Sequence, residues 1–153
     1  MAHRPTTKQS GAALIEFALV AVILVVLLAG IFELGRAFWF YDALSKATRD
    51  GARAMSVAKV ATINSAGVPA AKTVVANAAI AAGMNTFNSS YVTVTCLDTS
   101  YNDTTCTDGM TTLGGVRVEI TGYSVSIGQT VPLIGNAVRV INLTPRTTMR
   151  HML

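Results

Sequence analysis

An apolar run constrains this chain more than any other feature. Phe17 to Phe32 reads FALVAVILVVLLAGIF, sixteen residues without a charged or amide side chain. In a helix these rise about 24 Å, short of a hydrocarbon core about 30 Å thick. Starting at Ala12 gives 21 residues and about 32 Å, which spans. That start puts Glu16 inside the span, about 6 Å from its end. A charged side chain at the centre of an inserted helix costs about 2.5–3.5 kcal/mol, and less near the boundary, where it reaches back to the headgroups. Glu16 is then either an edge residue or a charge retained for a purpose.

A secretory signal has an apolar core of about 7–15 residues followed by a small-residue cleavage site. This run is longer, no A-x-A follows it, and Glu33-Leu-Gly-Arg36 continues a helical pattern. A retained anchor is therefore expected. Arg4 and Lys8 precede the run and Arg36 and Lys46 follow it, so the positive-inside count is nearly balanced. The bulk of the chain and both cysteines follow the run, which favours a short basic N-terminus inside and a folded domain outside.

Helical periodicity continues beyond Phe32. Ala37, Phe40, Leu44, Ala47, Gly51, Ala54 and Ala58 fall on one face, flanked by Phe38, Tyr41, Thr48, Ala52 and Met55. Arg36, Asp42, Lys46, Arg49, Asp50 and Arg53 gather opposite. One helix from about residue 12 to 60 is expected, with Asp42–Lys46 and Lys46–Asp50 at ion-pair spacing. Phe38-Trp39-Phe40-Tyr41 suits either the outer lipid interface, where such rings concentrate, or packing against a neighbour. Turn residues from Ile63 to Pro69 precede a second, Ala-rich helix from Ala70 towards Phe87, broken or ended at Gly83, with Val74, Ala78, Ile80 and Ala81 as a weak apolar stripe.

After Asn88, alternation replaces the helical period. Strands are expected over Tyr91–Cys96, over Val116–Thr121 with a continuation through Tyr123, Val125 and Ile127 kinked at Gly122, and over Ala137–Leu143. Gly114-Gly115 and Pro132 read as turns. The fold class is α+β: a long N-terminal helix, transmembrane then amphipathic, a second shorter helix, and a small, mostly antiparallel, pilin-like sheet domain. The expected division is a leader over 1–11, a transmembrane helix over 12–32, its amphipathic continuation over 33–60 and an extracytoplasmic domain over 61–153.

Chemistry is sparse. Only 13% of residues are charged, against about 25% usually. The net charge of +4 is spread along the chain without a basic, aromatic-interleaved cluster, so nucleic-acid binding is not expected. No GxSxG, HExxH, P-loop or GxGxxG occurs. His3 and His151 lie at the termini, where neither serves as a general base or completes a zinc set. No enzyme, cofactor or metal site is expected. Asp98, Asp103 and Asp108 read as a solvated loop rather than a calcium site. Cys96 and Cys106 flank that loop, and a disulfide between them is expected in an oxidising compartment.

A short basic leader, then Gly11, then Ala-Ala-Leu-Ile-Glu-Phe opening an apolar helix resembles the class III signal of type IV pilins. The resemblance implies cleavage by a prepilin peptidase between Gly11 and Ala12, with Glu16 fifth in the mature chain and Phe17 as the following aromatic. The continuation GIFELGRAFWFYDALSKATRDGARAMS is similar to the TadE-like pseudopilin family of tight-adherence (Flp, type IVb) pili. Gly30, Glu33, Gly35 and Arg36 match one of its motifs. Arg49, Gly51 and Arg53 match a second, in which Thr48 replaces the commoner alanine. The likeness runs over residues 8 to 56, about a third of the chain. It implies a minor pilin or pseudopilin serving pilus assembly and adhesion, anchored in the bacterial inner membrane with its domain in the periplasm. Its implied partners are the peptidase, other pilin subunits, the inner-membrane platform and lipid. Glu16 would pair with a neighbour's N-terminal ammonium, and Glu33 and Arg36 would serve assembly. The alternative is a single-pass, membrane-anchored binding module with its leader uncut.

Overall fold

The computed structural model describes residues 10–128 and 139–152. Helix α1 runs unbroken from Ser10 to Ser56, 47 residues. No proline interrupts residues 6–68, so no ring clash or missing donor breaks the hydrogen-bond ladder. The expected end near residue 60 is overtaken by a tertiary contact. The Met152 amide donates to the Ser56 carbonyl at 2.9 Å, and His151 Nε2 lies 2.9 Å from the Ala58 carbonyl. These contacts satisfy carbonyls that further helix would have occupied. A 3₁₀ turn (Val60–Thr62) and a π turn (Ile63–Gly67) then lead into α2, Val68–Ala81.

The described residues divide into two compact units: residues up to 35 with 126–128 and 139, and residues 36–125 with 140–152. In the second, the strands are β1 (Val92–Asp98), β2 (Asp103–Thr104), β3 (Leu113–Ile120) and β6 (Arg146–Arg150). They form an antiparallel sheet in the order β2-β1-β3-β6. Its inner face pairs Val92 with Ile120, Val94 with Val118 and Cys96 with Val116. Against this face lie Leu44, Ala47, Ala52 and Met55 of α1 and Ala71, Val75 and Ala79 of α2, all buried. Phe87, Tyr91 and Tyr123 close one side of the core, their ring centroids 5.0–5.5 Å apart. A separate two-stranded sheet joins β4 (Ser124–Ile127) to β5 (Arg139–Asn142).

Helix α2 runs antiparallel to α1, with Ala71 and Val75 beside Gly51 and the Ala82 carbonyl beside Trp39. A Cβ at Gly51 would sit 2.6 Å from Val75 Cγ2. Because the helices approach this closely, α2 buries Ala71, Val75 and Ala79, whereas Val74, Ile80 and Ala81 of the expected stripe are exposed. The α1 face is likewise rotated from expectation: Thr48, Ala52 and Met55 are buried, and Ala54 and Ala58 are only half-buried. Thr48 meets Thr147 of β6 hydroxyl to hydroxyl at 3.1 Å. Helix α2 ends in a Schellman arrangement around Gly83 (φ +95°), with Gly83 N donating to Ile80 O and Met84 N to Ala79 O.

Three strand expectations change. Gly114 and Gly115 lie inside β3 rather than in a turn. Gly122, at φ +75°, separates β4 from β3 instead of merely kinking one long strand. Of the third expected strand, residues 139–142 form β5, whereas 137, 138 and the Pro132 turn lie outside the described residues.

Cys96 and Cys106 form a disulfide with Cα atoms 5.0 Å apart, both buried. Their separation of 10 residues closes a short loop, worth about 2.5 kcal/mol in the chain-entropy account. Reduction is expected to lower the unfolding free energy by about that amount, measured by urea titration of the oxidised and reduced protein in detergent.

Candidate assembly surface on the N-terminal helix

Gly11, Ala12, Glu16 and Phe17 all lie in the opening turns of α1, and all are exposed, Phe17 at 71%. From Leu14 to Phe32 the large apolar side chains are exposed except Val26, which is half-buried with Ala21, Ala29 and Gly30. The span is apolar enough to cross a membrane by length and composition, with none of its most hydropathic window buried. A helix apolar all round needs lipid or neighbouring helices as its solvent. Glu16 is the only ionisable side chain from Gly11 to Phe32.

The glycines of the helix motifs do different work. At Gly30 and Gly35 an added Cβ meets nothing within 4 Å, leaving open helix surface where another backbone can approach. Gly51 is filled by α2 of its own chain. Arg49 and Arg53 are exposed. Lys46 pairs with Asp42 at 2.7 Å, one of its two expected partners.

Glu33 behaves otherwise than its charge suggests. It is only 1% exposed, and its carboxylate accepts from the backbone N–H of Gly128, which follows β4. A buried carboxyl oxygen is stabilised by such a bond, which leaves it a satisfied acceptor. The carboxylate is thus engaged within its own chain. Neither Gly128 nor the burial was readable from the sequence, since 95 residues separate the partners.

The three aspartates in and just after the disulfide loop are used separately. Asp98 Oδ1 accepts from the amides of Ser100 and Asn102, at 2.8 and 2.9 Å, and ties its own turn. Asp103 pairs with Arg117. Asp108 Oδ1 accepts from the amides of Asn64 and Ser65, at 2.7 and 3.1 Å, and docks the loop onto the π turn. Among the described residues no group of three or more His, Cys, Asp and Glu side chains converges.

Hydrogen bonds hold two of these carboxyls below the ordinary aspartate value of 3.8. At Asp98 the Asn102 amide is the main cause, and at Asp108 it is the Ser65 side chain, followed by the Ser65 amide. A depressed folded-state value stabilises the fold fully above the unfolded value, and the contribution disappears as pH falls through the folded one. Both turns are therefore expected to hold at pH 5 and loosen below about pH 3.8. The amide NMR shifts of Ser100, Asn102, Asn64 and Ser65 should move together with midpoints below that value.

Neither a curated protein nor a solved structure matches the chain. A family model described as TadE-like protein matches residues 11–53, the stretch that contains the exposed apolar surface, Glu16 and the glycine motifs. The chain thus carries a TadE-like segment over residues 11–53, consistent with a TadE-like protein of the Tad pilus system.

Proposed function

We propose that this chain is a minor pilin or pseudopilin of a Tad/Flp pilus, anchored in the inner membrane by the first half of α1. In this reading the N-terminus is cytoplasmic and the disulfide-bearing domain is periplasmic. A prepilin peptidase cuts between Gly11 and Ala12. The new ammonium of Ala12 then pairs with Glu16 of a neighbouring subunit, and subunits pack along the open faces of Gly30 and Gly35. The observation that carries the reading is the exposed apolar surface with one carboxylate in it, inside the TadE-like match. Burying that carboxylate unpaired is costly, so docking beside a cation is favoured. The protein would act through association with other pilin subunits and the membrane platform, in support of surface adhesion, and not by catalysis.

The deciding experiment is intact mass and N-terminal sequencing of the protein from its native membrane. A chain beginning at Ala12, dependent on the peptidase, is the expected result. A chain retaining its first residues overturns the pilin reading and leaves a membrane-anchored binding module with an uncut leader.

A further inference from the structure

The globular unit has an end without charge. No charged side chain occurs in the 25 residues from Thr73 to Leu97, nor in Ala37–Tyr41. These two stretches adjoin. Trp39 Nε1 donates to the Ala82 carbonyl at 3.4 Å, which sets the C-terminal end of α2 against the indole. Around that contact Trp39 is 64% exposed, Phe38 73%, Ile80 46% and Tyr41 48%, and Ala81 and Gly83 are exposed with them. On α1 the patch is bordered by Arg36, which is half-buried and already engaged, and by Asp42, Lys46, Arg49, Asp50 and Arg53 farther along.

Trp39 follows Phe32 by seven residues, about 10 Å along the same helix; a headgroup layer is about 5–7 Å deep, and a helical side chain tilts back toward the N-terminus, which brings the ring into it. An indole whose N–H is bonded and whose ring is bare suits that layer. So do the uncharged polar residues Asn85, Thr86 and Asn88 after α2.

We infer that this end of the domain is a second membrane contact: Phe38 and Trp39 of α1 and Ile80 of α2 rest in the lipid headgroup layer, so that α2 as well as α1 touches the bilayer. The inference rests on the membrane-anchored reading above. Because the patch carries no charge, a zwitterionic lipid surface suffices and anionic lipid adds nothing.

The chain has a single tryptophan, which makes the test direct. The full-length protein is reconstituted in phosphatidylcholine vesicles containing lipids brominated near the headgroup or deep in the acyl chain. Native Trp39 is read first. In a Trp39→Phe background, Ile80→Trp and Leu24→Trp are then read separately. The expected result at positions 39 and 80 is blue-shifted emission, quenching by the shallow bromolipid and protection from iodide, all unchanged when phosphatidylglycerol is added. Position 24 should be quenched by the deep bromolipid. Water-like emission and iodide quenching at position 80, with position 24 still quenched by lipid, overturns the inference and leaves the anchor intact. Loss of lipid quenching at position 24 instead overturns the anchored reading, and the inference with it. Quenching at position 80 only when phosphatidylglycerol is present also overturns it, since attraction to anionic lipid is not what this surface offers.

Discussion

Glu16→Leu is expected to leave the protein in the membrane and abolish its incorporation into pili. Insertion improves, because a carboxylate within the span is replaced by an apolar side chain. On the proposed pairing of Glu16 with a neighbour's ammonium, assembly loses an ion pair in a low-dielectric environment. Removing one partner of such a pair costs about 3–5 kcal/mol, since the other charge stays buried and uncompensated. That corresponds to at least about 100-fold weaker subunit docking. Glu16→Gln keeps the shape and loses the charge, so it should fail equally, whereas Glu16→Asp should retain part of the function. The amount of this protein in sheared pili, against its amount in the membrane fraction, separates the effects. Wild-type incorporation of Glu16→Leu would show that Glu16 is only an edge residue. Gly35→Ala adds a methyl where nothing lies within 4 Å in the chain itself. It should leave the fold intact, and any loss of assembly it causes reports the approach of a neighbour.

Gly114→Ala is expected to have the largest effect on folding. Pairing of β1 with β3 shifts register between Leu97 and Asp98, opposite Gly114. The irregularity carries the Asp98 carbonyl over the glycine, so an added Cβ would lie 2.3 Å from that oxygen and 2.9 Å from Thr99 Cα. These are backbone atoms, and no side-chain rotation relieves the contact. The strand or the 98–102 turn must move, and the turn is already fixed by Asp98 and enclosed within the Cys96–Cys106 loop. A cost of about 3 kcal/mol, the top of the usual range for overpacking, is expected. Urea unfolding in detergent, with Gly35→Ala as control, measures it. An unfolding free energy equal to the wild type would mean that β1 and β3 pair without this register shift.

How much of this was legible depended on whether the signal was local. The apolar run, the absence of proline and the charge pattern of residues 36–53 specify α1, and alternation in VRVEI specifies the core of β3. The α+β architecture and the disulfide followed from such local cues. The face of α2 did not, because in an Ala-rich helix the burying face is chosen by what it packs against. The close approach at Gly51 selects Ala71 and Val75 over larger Val74 and Ile80. Strand β2 is two residues long, and β6 reads RTTMR, without an apolar stripe. Both exist through pairing with β1 and β3. The apolar run also placed Gly11, Ala12, Glu16 and Phe17 on an exposed helix, where the structure has them; the roles given to them came from a family resemblance and not from local cues. The internal use of Glu33 and of Asp108 was not legible, since their partners are distant in sequence.

The link from Thr48 to Thr147 and from Ser56 to Met152 also sets an order of events for a chain that emerges N-terminus first. Helix α1 is made while the strand that caps its second half has yet to be synthesised. Until residues 146–152 arrive, Thr48, the Ser56 carbonyl and one edge of β3 stand uncovered. Completion of the domain therefore waits on residues 146–152: a chain that lacks them has its long helix formed but leaves an edge of β3 and the end of α1 open.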